Sequence, residues 1–74
     1  MKEFMIRLNT IEDVRRFVSL VERCAFPVDL TSGRYTVDAK SLMGIFSLDL
    51  MQPIKLIAHG EDDELFKQLE QYKA

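Results

Sequence analysis

Few side chains in this sequence are of types that do chemistry by themselves. It has a single histidine, His59, and a single cysteine, Cys24. No second histidine and no cysteine lie beside His59, whereas a zinc site needs three or four such ligands. No glycine-rich phosphate loop and no paired nucleophile and base occur either. The sequence therefore predicts no metal, no cofactor and no enzymatic activity, with His59 a structural or solvated side chain.

The remaining candidate is a serine at the head of an apolar segment, Lys40–Leu48. Ser41 stands where a short helix would begin, and a serine hydroxyl at that position accepts a free amide of the first turn. A phosphate on the same oxygen would meet the free first-turn amides and the positive end of the helix. Ser41 is thus a candidate regulatory phosphorylation site, with capping alone as the alternative.

The residues after this serine carry more apolar surface than a short helix can bury. A single buried stripe, such as Leu42, Ile45 and Phe46, leaves Met43 exposed. Exposed methionine beside aliphatic and aromatic side chains is typical of a protein-binding surface. In the alternative interpretation, the loop folds back and buries most of this run. The candidate partner-contact patch comprises Leu42, Met43, Phe46, Ser47 and Leu48.

Composition places the chain among small globular domains. Its 74 residues are expected to form one domain, 1–74. The net charge of −2 offers no general attraction to nucleic acid or to an anionic membrane. No run approaches the roughly 20 apolar residues of a membrane span. One unpaired cysteine suggests a reducing compartment, so we expect a cytoplasmic protein.

Periodic patterns predict the element order β-α-β-β-α-β-α. A strand over 3–8 precedes an amphipathic helix over 11–24, whose apolar stripe includes Ile11 and Cys24 and whose start is capped by Thr10. Four strands with helices segregated to one face make an α+β open-faced sandwich. The later elements are a hairpin at 28–31 and 34–38, the short helix after Ser41, a strand from Pro53 to Gly60 and a helix with an acidic start at 61–64.

The segment Val37–Leu48, together with the strand ending and acidic helix start at 58–64, resembles HPr, the histidine-containing phosphocarrier of the bacterial sugar phosphotransferase system. The specific part is the lysine-serine-aliphatic-methionine-glycine run, Lys40–Gly44, at a fixed place in the element order. The resemblance covers residues 28–72, and the first strand and helix fit its element order too. It implies a four-stranded antiparallel sheet of order 1-4-2-3 with all helices on one face.

The resemblance ends at the start of the first helix. HPr proteins carry a glycine-x-histidine-x-arginine-proline segment there, and its histidine accepts phosphate from enzyme I and passes it to a sugar-specific component. Here Thr10 stands near the histidine position and Glu12 near the arginine position. A phosphoryl relay needs a free imidazole and positive charge around the phosphoryl oxygens. We therefore expect no histidyl phosphotransfer by this chain.

The resemblance also implies a regulatory role for Ser41. In the Gram-positive branch of the family this serine is phosphorylated by HPr kinase/phosphorylase, and the phosphorylated form binds a transcriptional regulator. We predict a non-catalytic regulatory or interaction protein, with that kinase, a transcriptional regulator or phosphotransferase-system proteins as candidate partners. One alternative is a degenerate component that docks enzyme I or a sugar-specific component as a scaffold or competitor. The other is an unrelated small α+β binding module.

One adjacent pair of basic residues, Arg15 and Arg16, lies in the first helix. We expect both side chains to lie on its solvated surface. The alternative is a contact with an anion or a partner.

Overall fold

Four short strands form one antiparallel sheet in the computed structural model, which describes residues 1–74. Alternation of apolar and polar residues gives each strand one buried face. The spatial order is β1-β4-β2-β3, as the resemblance to HPr implied, and the architecture is the predicted open-faced α+β sandwich. The strands are β1 (Lys2–Ile6), β2 (Val28–Ser32), β3 (Tyr35–Asp38) and β4 (Ile54–Ala58).

Three helices cover the sheet, and a side-chain oxygen caps the start of each one. Such caps satisfy amides that have no partner within the helix. The capping residues are Thr10, Ser41 and Asp62. No helix is long and apolar enough to cross a membrane. The helices are α1 (Ile11–Val21), α2 (Leu42–Phe46) and α3 (Asp63–Leu69), and a single 3₁₀ turn (Glu70–Tyr72) follows α3.

One hydrophobic core lies between the sheet and the helices. It contains 17 buried side chains and no charged group, so burial of apolar surface is its main source of stability. Its largest fully buried members are Phe17, Ile6, Leu8, Leu30, Ile45, Ile54, Leu56 and Leu69.

The first helix begins at Ile11 as predicted, but its end and the burial of its first residue differ from the prediction. It ends at Val21 rather than at 24, because the Cys24 amide bonds to the carbonyl of Val21, three residues back, and tightens the last turn. Ile11 was expected in the buried stripe, yet 63% of it is exposed. Helical side chains point back toward the N-terminus, so the first residue projects past the helix end.

Candidate functional site

Ser41 begins α2 with its backbone extended and its hydroxyl turned toward the first helical turn. Its Oγ accepts a hydrogen bond from the Gly44 amide at 3.1 Å. The serine is half-buried. The capping role predicted for this residue is therefore present, and its oxygen lies at the amide end of the helix.

The turn before α2 holds Ser41 in this position. The Ser41 amide donates to the Asp38 carbonyl at 2.9 Å, and the Asp38 carboxylate accepts the Lys40 amide at 2.8 Å. The Lys40 ammonium donates to the Cys24 carbonyl at 3.0 Å, which ties the turn to the end of α1. The site is thus fixed by β3 on one side and by the turn that follows α1 on the other.

Gly44 provides the space that this serine needs. A Cβ at position 44 would lie 3.2 Å from the Ser41 Oγ and 3.3 Å from the Val37 Cβ. Both distances are shorter than ordinary van der Waals contact, so a side chain there would press on the capping oxygen. Close packing against Ser41 and Val37 therefore explains why the Lys40–Gly44 motif ends in glycine.

The candidate contact patch divides into exposed and buried members. Met43 is 83% exposed and Phe46 is 43% exposed, whereas Leu42 is half-buried. Ser47 is exposed at the other end of α2, where its hydroxyl donates to the Gly44 carbonyl at 2.6 Å. The exposure of Met43 agrees with the prediction.

Leu48 was wrongly included in this patch, since it is only 7% exposed and belongs to the core. Its amide donates to the carbonyl of Ile45 at 3.0 Å, so the chain turns back after α2 and carries Leu48 inward. Met51, outside the predicted patch, is instead 84% exposed. The alternative in which the loop folds back thus holds for Leu48 but not for the methionines.

The start of α1, where the resemblance places the relay histidine, is closed by a reciprocal cap. Thr10 Oγ1 accepts the Asp13 amide at 3.0 Å. The Asp13 carboxylate accepts the amides of Asn9 at 3.1 Å and Thr10 at 3.2 Å. This is a capping box, of which the sequence predicted the Thr10 half. Glu12 is exposed beside it.

A carboxylate therefore lies in the first turn of α1, next to the position where the resemblance places the relay histidine. The amides of Asn9 and Thr10 already donate to Asp13, the Asp13 amide donates to Thr10, and a second anion would face the negative charge of Asp13. The Thr10 hydroxyl accepts the Asp13 amide and donates to no base.

The single histidine lies elsewhere, at the end of β4. His59 Nε2 is 2.9 Å from the Asp29 carboxylate on β2, and both side chains are partly exposed. This pairing was not predicted, because it depends on the β2–β4 register. No group of three or more histidine, cysteine, aspartate or glutamate side chains could hold a metal ion. Cys24 is half-buried, and its thiol donates to the Phe26 carbonyl at 3.3 Å.

Comparison with known proteins identifies the family. A family model described as "PTS HPr component phosphorylation site" matches residues 13–74. The crystal structure of HPr-C-His from Thermoanaerobacter tengcongensis aligns with a TM-score of 0.80 and 29% identity, covering 96% of this chain and 89% of that one. The phosphocarrier protein HPr from Bacillus anthracis str. Ames aligns with a TM-score of 0.72 and 26% identity, covering 99% and 94%. No curated protein sequence is significantly similar.

The fold and these matches define a small phosphocarrier-type domain of the sugar phosphotransferase system. The chain belongs to the HPr family. Members of this family are carriers rather than catalysts, and they act through contacts with other proteins of that system. The alternative of an unrelated α+β module is therefore wrong. The matched range begins at residue 13, after Thr10 and Glu12.

Proposed function

We propose that this protein is a non-catalytic, regulatory member of the HPr family that binds a protein partner and does not carry phosphate on histidine. The observation that supports this most strongly is the contrast between its two candidate sites. The α2 start keeps a capping serine near the exposed Met43, while the Asp13 carboxylate closes the α1 start and adds negative charge there. Its place of action is the cytoplasm, where a lone thiol stays reduced.

The contact surface is Met43 and Phe46 together with the exposed Ser47, supported at its base by Leu42. A methionine that is 83% exposed loses solvation cheaply and adapts its shape to a partner. Leu48 anchors this segment from inside the core and does not contact the partner. The surface therefore combines an exposed apolar tip with a buried attachment.

Phosphorylation of Ser41 would control this surface. HPr kinase/phosphorylase would transfer the γ-phosphoryl group of ATP to the Ser41 Oγ and release ADP. The added phosphate carries about −1.5 to −2 charge at pH 7 and three acceptor oxygens. It would place this charge directly beside Met43. A transcriptional regulator that reads phosphate and apolar surface together is the partner class that fits.

Incubation with an HPr kinase and ATP, followed by intact-mass measurement, tests the switch. We expect the wild type to gain one phosphate and Ser41→Ala to gain none. Ser47→Ala is the matched control, because it removes a hydroxyl from the same helix at its other end, and it should be phosphorylated normally. An unmodified wild type, or a phosphate that persists in Ser41→Ala, would eliminate Ser41 as the switch.

A second function is favoured by the fact that the exposure of Met43 does not depend on any modification. In this form the protein docks enzyme I or a sugar-specific component as a scaffold or competitor, without carrying phosphate. Titration of the unphosphorylated chain against those proteins distinguishes the two functions. Binding that equals the affinity of the phosphorylated form would favour docking without a switch.

Met43→Asp should weaken partner binding under both functions by about 30-fold or more, the effect of losing a central apolar contact. Met5→Asp is the control. Met5 is 44% exposed on β1 and lies opposite Lys55 in the register, which would accommodate the new carboxylate. Equal loss of binding in both variants would show that Met43 is not part of the contact surface.

A further inference from the structure

We propose that a groove between α1 and the C-terminal turn binds a small phosphomonoester that carries an apolar substituent. The groove has a volume of about 430 Å³ and opens to solvent. None of its lining residues belongs to the Ser41–Leu48 segment, so this site is separate from the proposed partner surface. The argument uses Glu12, Arg15, Arg16, Ser19, Leu20 and Tyr72.

Two guanidinium groups line this groove without an acidic partner. Glu12 lies three and four residues before Arg15 and Arg16, a spacing that allows ion pairs along a helix. Neither arginine is within 4.0 Å of a carboxylate oxygen, since the ion pairs of the molecule join Lys55 to Glu3, His59 to Asp29 and Lys73 to Glu70. Their donors are therefore free for a ligand, and arginine matches phosphate oxygens in a bidentate geometry.

The charge inside the groove favours one anionic group. Arg15 and Arg16 contribute two positive charges, and Glu12 contributes one negative charge. Asp13 also lies close to the Tyr72 hydroxyl, but it does not line the groove, and its carboxylate accepts the amides of Asn9 and Thr10. The groove itself is thus net positive on a protein whose net charge is −2.

Two further donors and an apolar wall complete the site. The hydroxyls of Ser19 and Tyr72 make no hydrogen bond within the protein. Only 5% of Tyr72 is exposed, and its ring packs edge-on against that of Phe17, with ring centroids 5.7 Å apart. Leu20 is half-buried beside it. A ligand with both an anionic head and an apolar or aromatic part would use both kinds of surface.

A phosphate fits these donors better than a carboxylate does. Two guanidinium groups and two hydroxyls offer more donors than the two oxygens of a carboxylate can accept. A phosphomonoester brings three terminal oxygens and about −1.5 to −2 charge at pH 7. Both anions satisfy the net positive charge of the lining, so the larger number of acceptor oxygens on the phosphate decides between them.

Titration of the ¹⁵N-labelled chain with phenyl phosphate, followed by amide chemical shifts, tests this proposal. We expect saturable shifts at residues 12–20 and 70–72. Inorganic phosphate, benzoate and phenol are the comparison probes, and each lacks one feature that the groove recognises. Weaker binding by all three supports the proposal, whereas benzoate or phenol binding as tightly as phenyl phosphate would overturn it.

A pair of double variants separates the groove from general charge. Arg15→Gln with Arg16→Gln should raise the dissociation constant about tenfold or more, because charge-assisted hydrogen bonds are lost. Arg23→Gln with Arg34→Gln removes the same charge from exposed arginines outside the groove and should leave binding unchanged. An equal loss in both double variants, or no saturable shift with wild type at millimolar probe, would refute a specific site.

Discussion

The first two helices are capped in the same way but expose chemically different surfaces. Each starts at a hydroxyl residue, Thr10 or Ser41, whose oxygen accepts the amide three residues ahead. Three residues after the cap, α1 has Asp13, whose carboxylate accepts the backbone amide of Thr10. At the same position α2 has Gly44, which has no side chain to accept the Ser41 amide. One residue thus decides whether the helix start is closed by an anion or left open.

The residues before that third position enlarge the difference. Glu12 places a charge on the surface of α1, and Met43 places an exposed apolar side chain at the same position of α2. The first surface is therefore acidic and the second exposes apolar area, which is the contrast on which the proposed function rests. The comparison shows how two helix starts of one fold, capped in the same way, can present different surface chemistry.

The largest effect should come from the buried anchor of the α2 segment. Leu48→Ala should lower the free energy of unfolding by about 2–5 kcal/mol, because it leaves a cavity in the core. Met43→Ala, at a side chain that is 83% exposed, should change it by less than about 0.5 kcal/mol. Urea denaturation of both variants measures the difference, and similar values would contradict the division of this segment into anchor and contact surface.

Opening the closed helix start should have the next largest effect. Asp13→Ala removes the acceptor for two amides and a charge near the positive helix end, and should cost about 1–2 kcal/mol. Asp63→Ala is the matched control, since Asp63 lies in the first turn of α3, where the capping residue is Asp62. Thermal unfolding of the two variants compares them, and an Asp13→Ala cost no greater than the control would show that the capping box is not what closes α1.

Removing the cap of α2 should lower the free energy of unfolding by less than removing Asp13 from α1. Ser41→Ala removes one cap and should lower stability by about 1 kcal/mol, because only the Gly44 amide loses its acceptor. Ser47→Ala, at the other end of the same helix, should cost less, since its exposed hydroxyl only donates to a carbonyl. If Ser41→Ala proved as costly as Asp13→Ala, the two starts would not differ in the way described.

The smallest effect should appear at alkaline pH. Burial, with a further contribution from the negative charge of Asp13, raises the pKa of Tyr72 above its ordinary value of 10.0, and Arg16 partly opposes this. The unfolded chain then releases the phenolic proton first, so the stabilisation is complete below pH 10 and is lost as the pH rises through the raised pKa.

Unfolding free energies measured between pH 8 and 11 would check this. They should fall more steeply for wild type than for Tyr72→Phe, with Tyr35→Phe as the control at an exposed tyrosine. A slope that is the same in wild type and Tyr72→Phe would contradict the effect of burial.

The sequence predicted what depends on neighbours along the chain. The cap at Thr10, the cap at Ser41 and the exposed Met43 each follow from a few adjacent residues. The burial of Leu48 could not be predicted, because a helix of five residues does not determine which side chains of the following turn face the core. The His59–Asp29 pair could not be predicted either, since it joins residues 30 positions apart through the strand register.

The candidate groove was only half predictable. Arg15 and Arg16 stand out in the sequence, and an anion contact was one of their two interpretations. Tyr72 and Leu20 come beside them only when α1 packs against the end of the chain. The strand order followed from the resemblance to HPr, because element order alone fits several small α+β folds.

Transfer of radiolabelled phosphate from phosphoenolpyruvate through enzyme I tests the central claim most directly. The closed start of α1 predicts that this chain stays unlabelled while an HPr protein in the same mixture becomes labelled. An acid-labile, alkali-stable label on His59 would contradict the account, because it would show that the protein relays phosphate through the histidine at the end of β4.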